Sequence, residues 1–396
     1  MSRYQKIFLA ILSLYVIFDF TLGTLVGLFL WETTKEASQI ILYYIALFLS
    51  ITLSTQIASK LTHRYGAKKV YITSIMLGML QAGILMIMGS EIAKVIMPFG
   101  ILAGTGIGLQ AMSYSLIVGF ITNNTDTTKF LGLKSSIMNA VSIVSVPIIT
   151  GLVSTLGSYE ISYLISLLVG VLIVILVSKI PVVTNSASIN ATSYRSLLEI
   201  EEVKIFLTTR LFYGIYNGPM WAILGVVTFM FVGDVSRWGY ISTGFTILSI
   251  ISAYLYSKVA DTSLRQAISI VATFMFASVA LLLATNWNFI IFMIYQFAVV
   301  LLNSSFSLHY EGVIYRLVND NEVIKDNMIQ VLSLGEIAMG IGRITPLITL
   351  LLAGFSFDNP LMLQILFVLI SVVPLLILNK LNSLIPHSSR YATIHN

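Results

Sequence analysis

Lys6-Ile7-Phe8-Leu9, near the start of the chain, returns as Lys204-Ile205-Phe206-Leu207, and the offset of 198 residues is half of the 396 in the sequence. At nearly the same offset Tyr15 meets Tyr213, Ser59-Lys60 meets Ser257-Lys258, and Pro147 meets Pro346. Apolar sequences produce short matches by chance, but these share one register, and the register divides the chain into two halves of like organisation. Each half holds about six hydrophobic segments of membrane-crossing length. Duplication of a hydrophobic bundle is a mark of secondary transporters, whose substrate site lies where the repeats meet. The repeat therefore predicts both an architecture and a mode of action.

Composition agrees. Hydrophobic residues make up 57% of the chain and charged residues 10%, and the mean hydropathy is +0.93. A soluble protein of this length would not cover its surface with so few charges, so the solvent is largely lipid. A helix needs roughly 20 mostly apolar residues to cross a hydrocarbon core about 30 Å thick. Twelve such spans are predicted, at 6–31, 38–59, 70–90, 94–120, 132–156, 159–180, 203–232, 238–259, 264–285, 288–312, 327–354 and 359–380. The runs are long and do not alternate, which favours helices over a barrel. The expected fold is an all-α membrane protein of twelve transmembrane helices in two pseudo-symmetric six-helix bundles. Residues 1–180 form the first bundle, 181–203 a cytoplasmic linker, 204–380 the second bundle and 381–396 a cytoplasmic tail. The linker begins at Pro181, runs through a Ser/Asn/Thr-rich stretch and ends at Glu199, Glu201 and Glu202.

With an even number of spans both termini share one side. That side carries Arg3, Lys6, Lys60, Arg64, Lys68, Lys69, Lys129, Lys134, Lys179, Arg195, Lys204, Lys258, Arg265, Arg316, Lys325, Lys380 and Arg390, against Lys35, Lys94 and Arg237 opposite. By the positive-inside rule both termini are cytoplasmic. The same bias explains the basic balance without a nucleic-acid partner. The first span is too long for a signal-peptide core and is expected to stay in the protein. The Asn-x-Thr matches at Asn123 and Asn190 fall on the cytoplasmic side, as chance matches would. There is no cysteine, so disulfides and thiolate metal sites are excluded. His63, His309, His387 and His395 are scattered without ligand spacing, so no metal or other cofactor is expected. No nucleotide phosphate loop or nucleophile–base set occurs, which argues against an ATP-driven pump and against an enzyme.

Between spans 2 and 3 the sequence reads Ser59-Lys60-Leu61-Thr62-His63-Arg64-Tyr65-Gly66-Ala67-Lys68-Lys69. This resembles the Gly-x-x-x-Asp-Arg-x-Gly-Arg-Lys loop of the major facilitator superfamily at the same junction. Arg64, Gly66 and Lys68 fit the pattern; Ser59, His63 and Ala67 depart from it. The second half echoes it from Ser257 to Arg265, where Asp261 keeps the acidic position and the Arg-x-Gly core is lost. A tight turn needs Gly66, and the basic residues hold orientation. The resemblance implies alternating access, with Arg64, Gly66, Lys68, Asp261 and Arg265 in gating. In span 5, Val146-Pro147-Ile148-Ile149-Thr150-Gly151 keeps the proline and last glycine of an element found in exporters of the family. A membrane proline bends its helix and frees a carbonyl. Pro346 repeats that bend in span 11, so both prolines are candidate gating positions. In span 4 the run Gly100, Gly104, Gly106, Gly108 reads as close helix packing, and it stands where the family often has an arginine.

Charges at mid-membrane cost on the order of 2.5–3.5 kcal/mol on insertion scales, so each asks for a reason. Asp19 lies halfway along span 1, four residues after Tyr15 and on the same face. Its repeat counterpart is Asn217 in span 7, where Arg210, Asn217 and Trp221 share a face edged by Tyr213. Spans 1, 4, 7 and 10 line the cavity in the family, which implies that Asp19 and the span-7 stripe face each other. Glu336 and Arg343, seven residues apart, share a face of span 11; structural pairing with neighbouring helices is the competing reading. Snorkelling to the interface competes for Arg210, and a helix-end group with Arg316 is the expectation for His309 and Glu311. Asn139 belongs to a polar face of span 5 that would help to wet the cavity. These residues predict proton-coupled export of a small organic solute by a monomer in the cytoplasmic membrane, with Asp19 exchanging a proton for substrate. Uptake symport of a nutrient such as a sugar is the alternative.

Overall fold

The apolar runs fold as helices, and their ends are set by local chemistry. The protein was analysed as a computed structural model that describes residues 2–122, 127–181, 194–259, 262–320, 323–324 and 327–383. Helix α1 (Arg3–Asp19), a π-helical turn (Phe20–Thr24) and α2 (Leu25–Thr34) make the first pass. The next passes are α3 (Ala37–Tyr65), α4 (Ala67–Met88), α5 (Ile96–Thr122), α6 (Thr127–Leu156) and α7 (Glu160–Ser178), with a 3-10 turn (Gly89–Val95) between α4 and α5. A short α8 (Tyr194–Glu199) precedes α9 (Glu201–Val232), α10 (Val235–Lys258), α11 (Thr262–Thr285), α12 (Phe289–Asp320), α13 (Met328–Leu352) and α14 (Pro360–Ser383). No strand occurs among the described residues. Eleven stretches are long and apolar enough to cross a membrane, and one of them, Ala67–Val118, contains two passes. All twelve predicted spans are therefore present among the described residues; most ends agree within five residues, while α3 runs six and α12 eight residues beyond the predicted end.

Ser2 starts α1 with a reciprocal cap: the Gln5 amide donates to Ser2 Oγ at 3.2 Å and the Ser2 amide to Gln5 Oε1 at 2.9 Å, satisfying donors that the first turn leaves open. Between α3 and α4 the chain reverses at a single residue, Gly66, whose φ of 83° is open to glycine and strained for others. Large apolar side chains such as Ile87 (87% exposed), Leu352 (83%) and Val271 (66%) point outward. In water such a surface would be an aggregation liability; in hydrocarbon it needs no cover.

Two compact units are distinguished. The first comprises Met1–Ala187 together with Trp221–Ile247 and Leu347–Phe355. Within it α3 and α5 lie almost backbone to backbone: a Cβ at Gly100 would stand 2.7 Å from the Tyr43 carbonyl oxygen, and Gly104 and Gly108 meet α3 in the same way. The glycine run of span 4 is thus a packing seam, as expected. Phe20 stacks on Trp238 with ring centres 6.3 Å apart, and Trp221 packs on Phe48 at 6.0 Å. The second unit comprises Ser188–Met220, Leu248–Pro346 and Ser356–Asn396. Its core is aromatic: Phe276, Phe292, Tyr295 and Phe367 are buried, with Tyr295 and Phe367 centred 4.9 Å apart.

Candidate functional site

In the first unit the polar residues converge on Asp19. The Tyr15 hydroxyl donates to Asp19 Oδ1 at 3.3 Å, one turn apart on α1 as their spacing requires. Around them is a partly open cavity of about 40 Å³ lined by Tyr15, Asp19 and Gly23 from the first pass, Ser74 and Gln81 from α4, Gln110 from α5 and several apolar side chains. That volume holds a few waters, each needing roughly 10–15 Å³ on this measure. Gln81 Nε2 donates to the Leu22 carbonyl at 3.1 Å. The carboxylate thus sits mid-span in a small, mostly apolar recess with a few polar groups, beside a break in its helix, where intramembrane acids are expected to do work rather than pack. The sequence singled out Tyr15 and Asp19 but not Gln81, Gln110 or Ser74, since amides and hydroxyls scattered in apolar helices have no period that marks a common wall. Asn139 lies half-buried on α6 and is absent from that wall.

The second unit gathers another group. Arg343 of α13 is 8% exposed and its Nε donates to Asn217 Oδ1 of α9 at 3.2 Å. Glu336, Tyr213 and Arg210 lie near enough to act electrostatically on this guanidinium. Arg210 reaches Met339 Sδ at 3.7 Å and lies over the Phe206 ring at 5.5 Å. The close approach that allows this comes from glycine: a Cβ at Gly218 would stand 2.6 Å from the Arg343 carbonyl oxygen. Five of the expected residues, Arg210, Tyr213, Asn217, Glu336 and Arg343, therefore form one neighbourhood. Trp221 is half exposed and belongs with the first unit. The sequence reading missed Pro219, which stands inside α9 two residues after Asn217.

Of the residues assigned to gating, Lys68 has the plainest role. Its Nζ donates to the carbonyls of Ser178 and Ile180 at 2.6 and 2.7 Å, closing the C-terminal end of α7, where a cation suits both the open carbonyls and the helix dipole. The Arg64 guanidinium lies over the Tyr65 ring at 5.2 Å. Arg265 Nε donates to the Val259 carbonyl at 2.5 Å. Asp261 lies outside the described residues, as do the side chains of His309, Glu311 and Arg316. Pro147 and Pro346 both stand inside helices, α6 and α13. Pro147 lines a groove with Gly151, Ser236 and Tyr240. Beside that groove Asp234 caps α10, accepting from the Arg237 amide at 2.8 Å and from Ser154 Oγ of α6 at 3.1 Å.

Comparison with known proteins adds the following. The Major Facilitator Superfamily model matches residues 7–319. No curated protein sequence matches significantly. Among solved structures, a point mutant of the nucleoside transporter NupG aligns with a TM-score of 0.72 at 10% identity, over 97% of this chain and 100% of its own. A bacterial homologue of the iron transporter ferroportin in an inward-facing state aligns at 0.72 and 14% identity, over 97% and 99%. A D-xylose-proton symporter aligns at 0.67 and 11%, over 94% and 97%. At these identities the likeness is one of fold.

Proposed function

Because the chain belongs to the major facilitator superfamily, we propose that this transporter works by alternating access and exports a small organic solute in exchange for protons carried by Asp19. The observation that carries the reading is the Asp19 carboxylate, held by Tyr15 in a cavity with room for a few waters halfway along the first pass. A single carboxylate among neutral oxygens and amides gives up and takes up a proton without a fixed counter-charge, which suits a group that must be reloaded each cycle. In the second unit the Arg343 and Arg210 pair, with Glu336 beside it, supports recognition of a solute that bears an anionic or zwitterionic group. Solved structures of this fold are named for a nucleoside, an iron and a xylose transporter, so the fold itself selects no cargo.

The reading includes two repeats, 1–180 and 204–380, joined by 181–203, as a monomer in the cytoplasmic membrane with both termini inside. The test is solute-driven proton movement in proteoliposomes, using a solute found by thermal-shift screening of metabolites, sugars, siderophores and drugs. Asp19→Asn is expected to abolish coupled proton movement while solute exchange persists; unchanged coupling in that variant overturns the mechanism. Uptake symport is the second reading, favoured by Pro346, which repeats the Pro147 bend in α13 and so removes its link to export alone. Accumulation rather than depletion of solute under an inward proton gradient selects it.

A further inference from the structure

The first pass is not a continuous α-helix. Directly after Asp19 the chain makes a π turn over Phe20–Thr24, in which the Leu25 amide reaches back to the Phe20 carbonyl. Such a turn takes up one residue more than an α turn, so the flank beyond it is rotated by about 100° relative to an unbroken helix. Phe-Thr-Leu-Gly-Thr carries nothing that demands this geometry. Neighbouring helices supply it. Gln81, 4% exposed, donates Nε2 to the Leu22 carbonyl at 3.1 Å from α4. Thr21, fully buried, donates to the Ile17 and Phe18 carbonyls at 3.1 and 2.9 Å and also meets the Ser166 hydroxyl of α7.

The upstream flank is anchored separately. The Phe18 ring fits where α4 and α7 have only glycine, and a Cβ at Gly78 or Gly170 would come within 2.6 or 3.1 Å of it. Asp19 is therefore held in place from upstream, and beyond the turn Leu25, Val26, Leu28 and Leu30 are buried as well, so a change of register is confined to Phe20–Thr24. In the π form Gly23 forms the cavity wall next to the acid; a Cβ there would lie 4.0 Å from Asp19 Oδ1.

We propose that Gln81 and Thr21 are positioning residues that hold the π turn, and that this turn is a shutter for Asp19. When their bonds are lost, residues 20–24 relax toward α-helix and Gly23, inside the turn, rotates away from the carboxylate. The inference rests on Asp19 being the exchanging group, but it concerns only what stands beside that group. At the matching place the second half carries Gly218-Pro219 directly after Asn217, inside an α-helix that continues through it.

The chain contains no cysteine, so one thiol introduced as Gly23→Cys reports this wall without background. It fits, since its Cβ would make ordinary contact. The probe is a small cationic methanethiosulfonate applied to the purified protein. With the π turn intact, modification is expected to be accelerated by the neighbouring carboxylate and slowed by Asp19→Asn. Gln81→Met, which keeps length but has no N–H, is expected to slow modification about tenfold, the scale of one or two net hydrogen bonds, and to remove its dependence on Asp19. Thr21→Val moves the rate in the same direction, and Thr21→Ser, which keeps the hydroxyl, restores it. The proposal is overturned if Gln81→Met leaves both the rate and the Asp19 dependence unchanged, or if Thr21→Ser behaves like Thr21→Val. Because these rates report geometry alone, they stand or fall independently of the proton-flux result for Asp19→Asn.

Discussion

Arg343 is the costliest side chain in the second unit to leave without company. Its Nε donates to a neutral amide, Asn217, in a site with little access to water. Removing a partner from a buried cation leaves its desolvation uncompensated, so Asn217→Leu should destabilise the protein by about 1–3 kcal/mol, read as a lower melting temperature in detergent. Arg343→Lys should fare no better than Arg343→Met, since an ammonium cannot reproduce the planar Nε–H bond. Lys68 is the contrasting case, a charge at a helix end with both its carbonyls close at hand. Lys68→Met should cost about 1 kcal/mol and speed amide exchange at the end of α7 while leaving other helices unchanged. Residues of this kind differ in how legible they are. Asp19 stands out in sequence because no other acid lies so deep in an apolar run. The Arg343–Asn217 bond joins positions 126 apart, and no periodicity links them. Asn139 looked equally polar on paper, but a helix face rich in serine and asparagine does not say which of its members meets a cavity.

Helices were the readable unit, because a run of some twenty apolar residues has one answer in lipid. What the runs concealed were the defects within them. The π turn is compatible with every residue in it and arises from Gln81 and Ser166, which are remote in sequence. Close helix contacts were legible where glycines recur, as along α5, and less so at Gly218. A Gly218→Val substitution would drive a side chain into the α13 backbone and should cost about 1–3 kcal/mol or more, seen as loss of folded protein on size-exclusion chromatography. The α9–α10 turn makes a milder prediction. Asp234→Ala removes the cap of α10 and the bond to Ser154 and should cost about 1 kcal/mol. The Asp234 carboxyl is held below the usual range, chiefly by the Arg237 backbone amide, then aided by Ser154. A lowered acid contributes stability above its unfolded pKa, near 3.9, and loses it as pH falls through the folded value. The stability gap between parent and Asp234→Ala should therefore be full at neutral pH and close only below about pH 4.

At the scale of the whole molecule, the first compact unit is assembled from three stretches of chain, with 221–247 and 347–355 joining 1–187. A chain cut between residues 182 and 193 should therefore still purify as one particle, held by contacts such as Phe20–Trp238 and Ser154–Asp234. The fragment 1–181 expressed alone should unfold at a lower temperature than the cut pair. The sequence repeat runs through this arrangement as well. Asp19 and Asn217 hold matching places in the sequence repeat; a π turn follows the acid, while Gly218-Pro219 follows the amide inside an α-helix that runs on unbroken. On the register of the sequence repeat the two halves divide the chemistry between them, an acid to one and an amide with its arginine to the other.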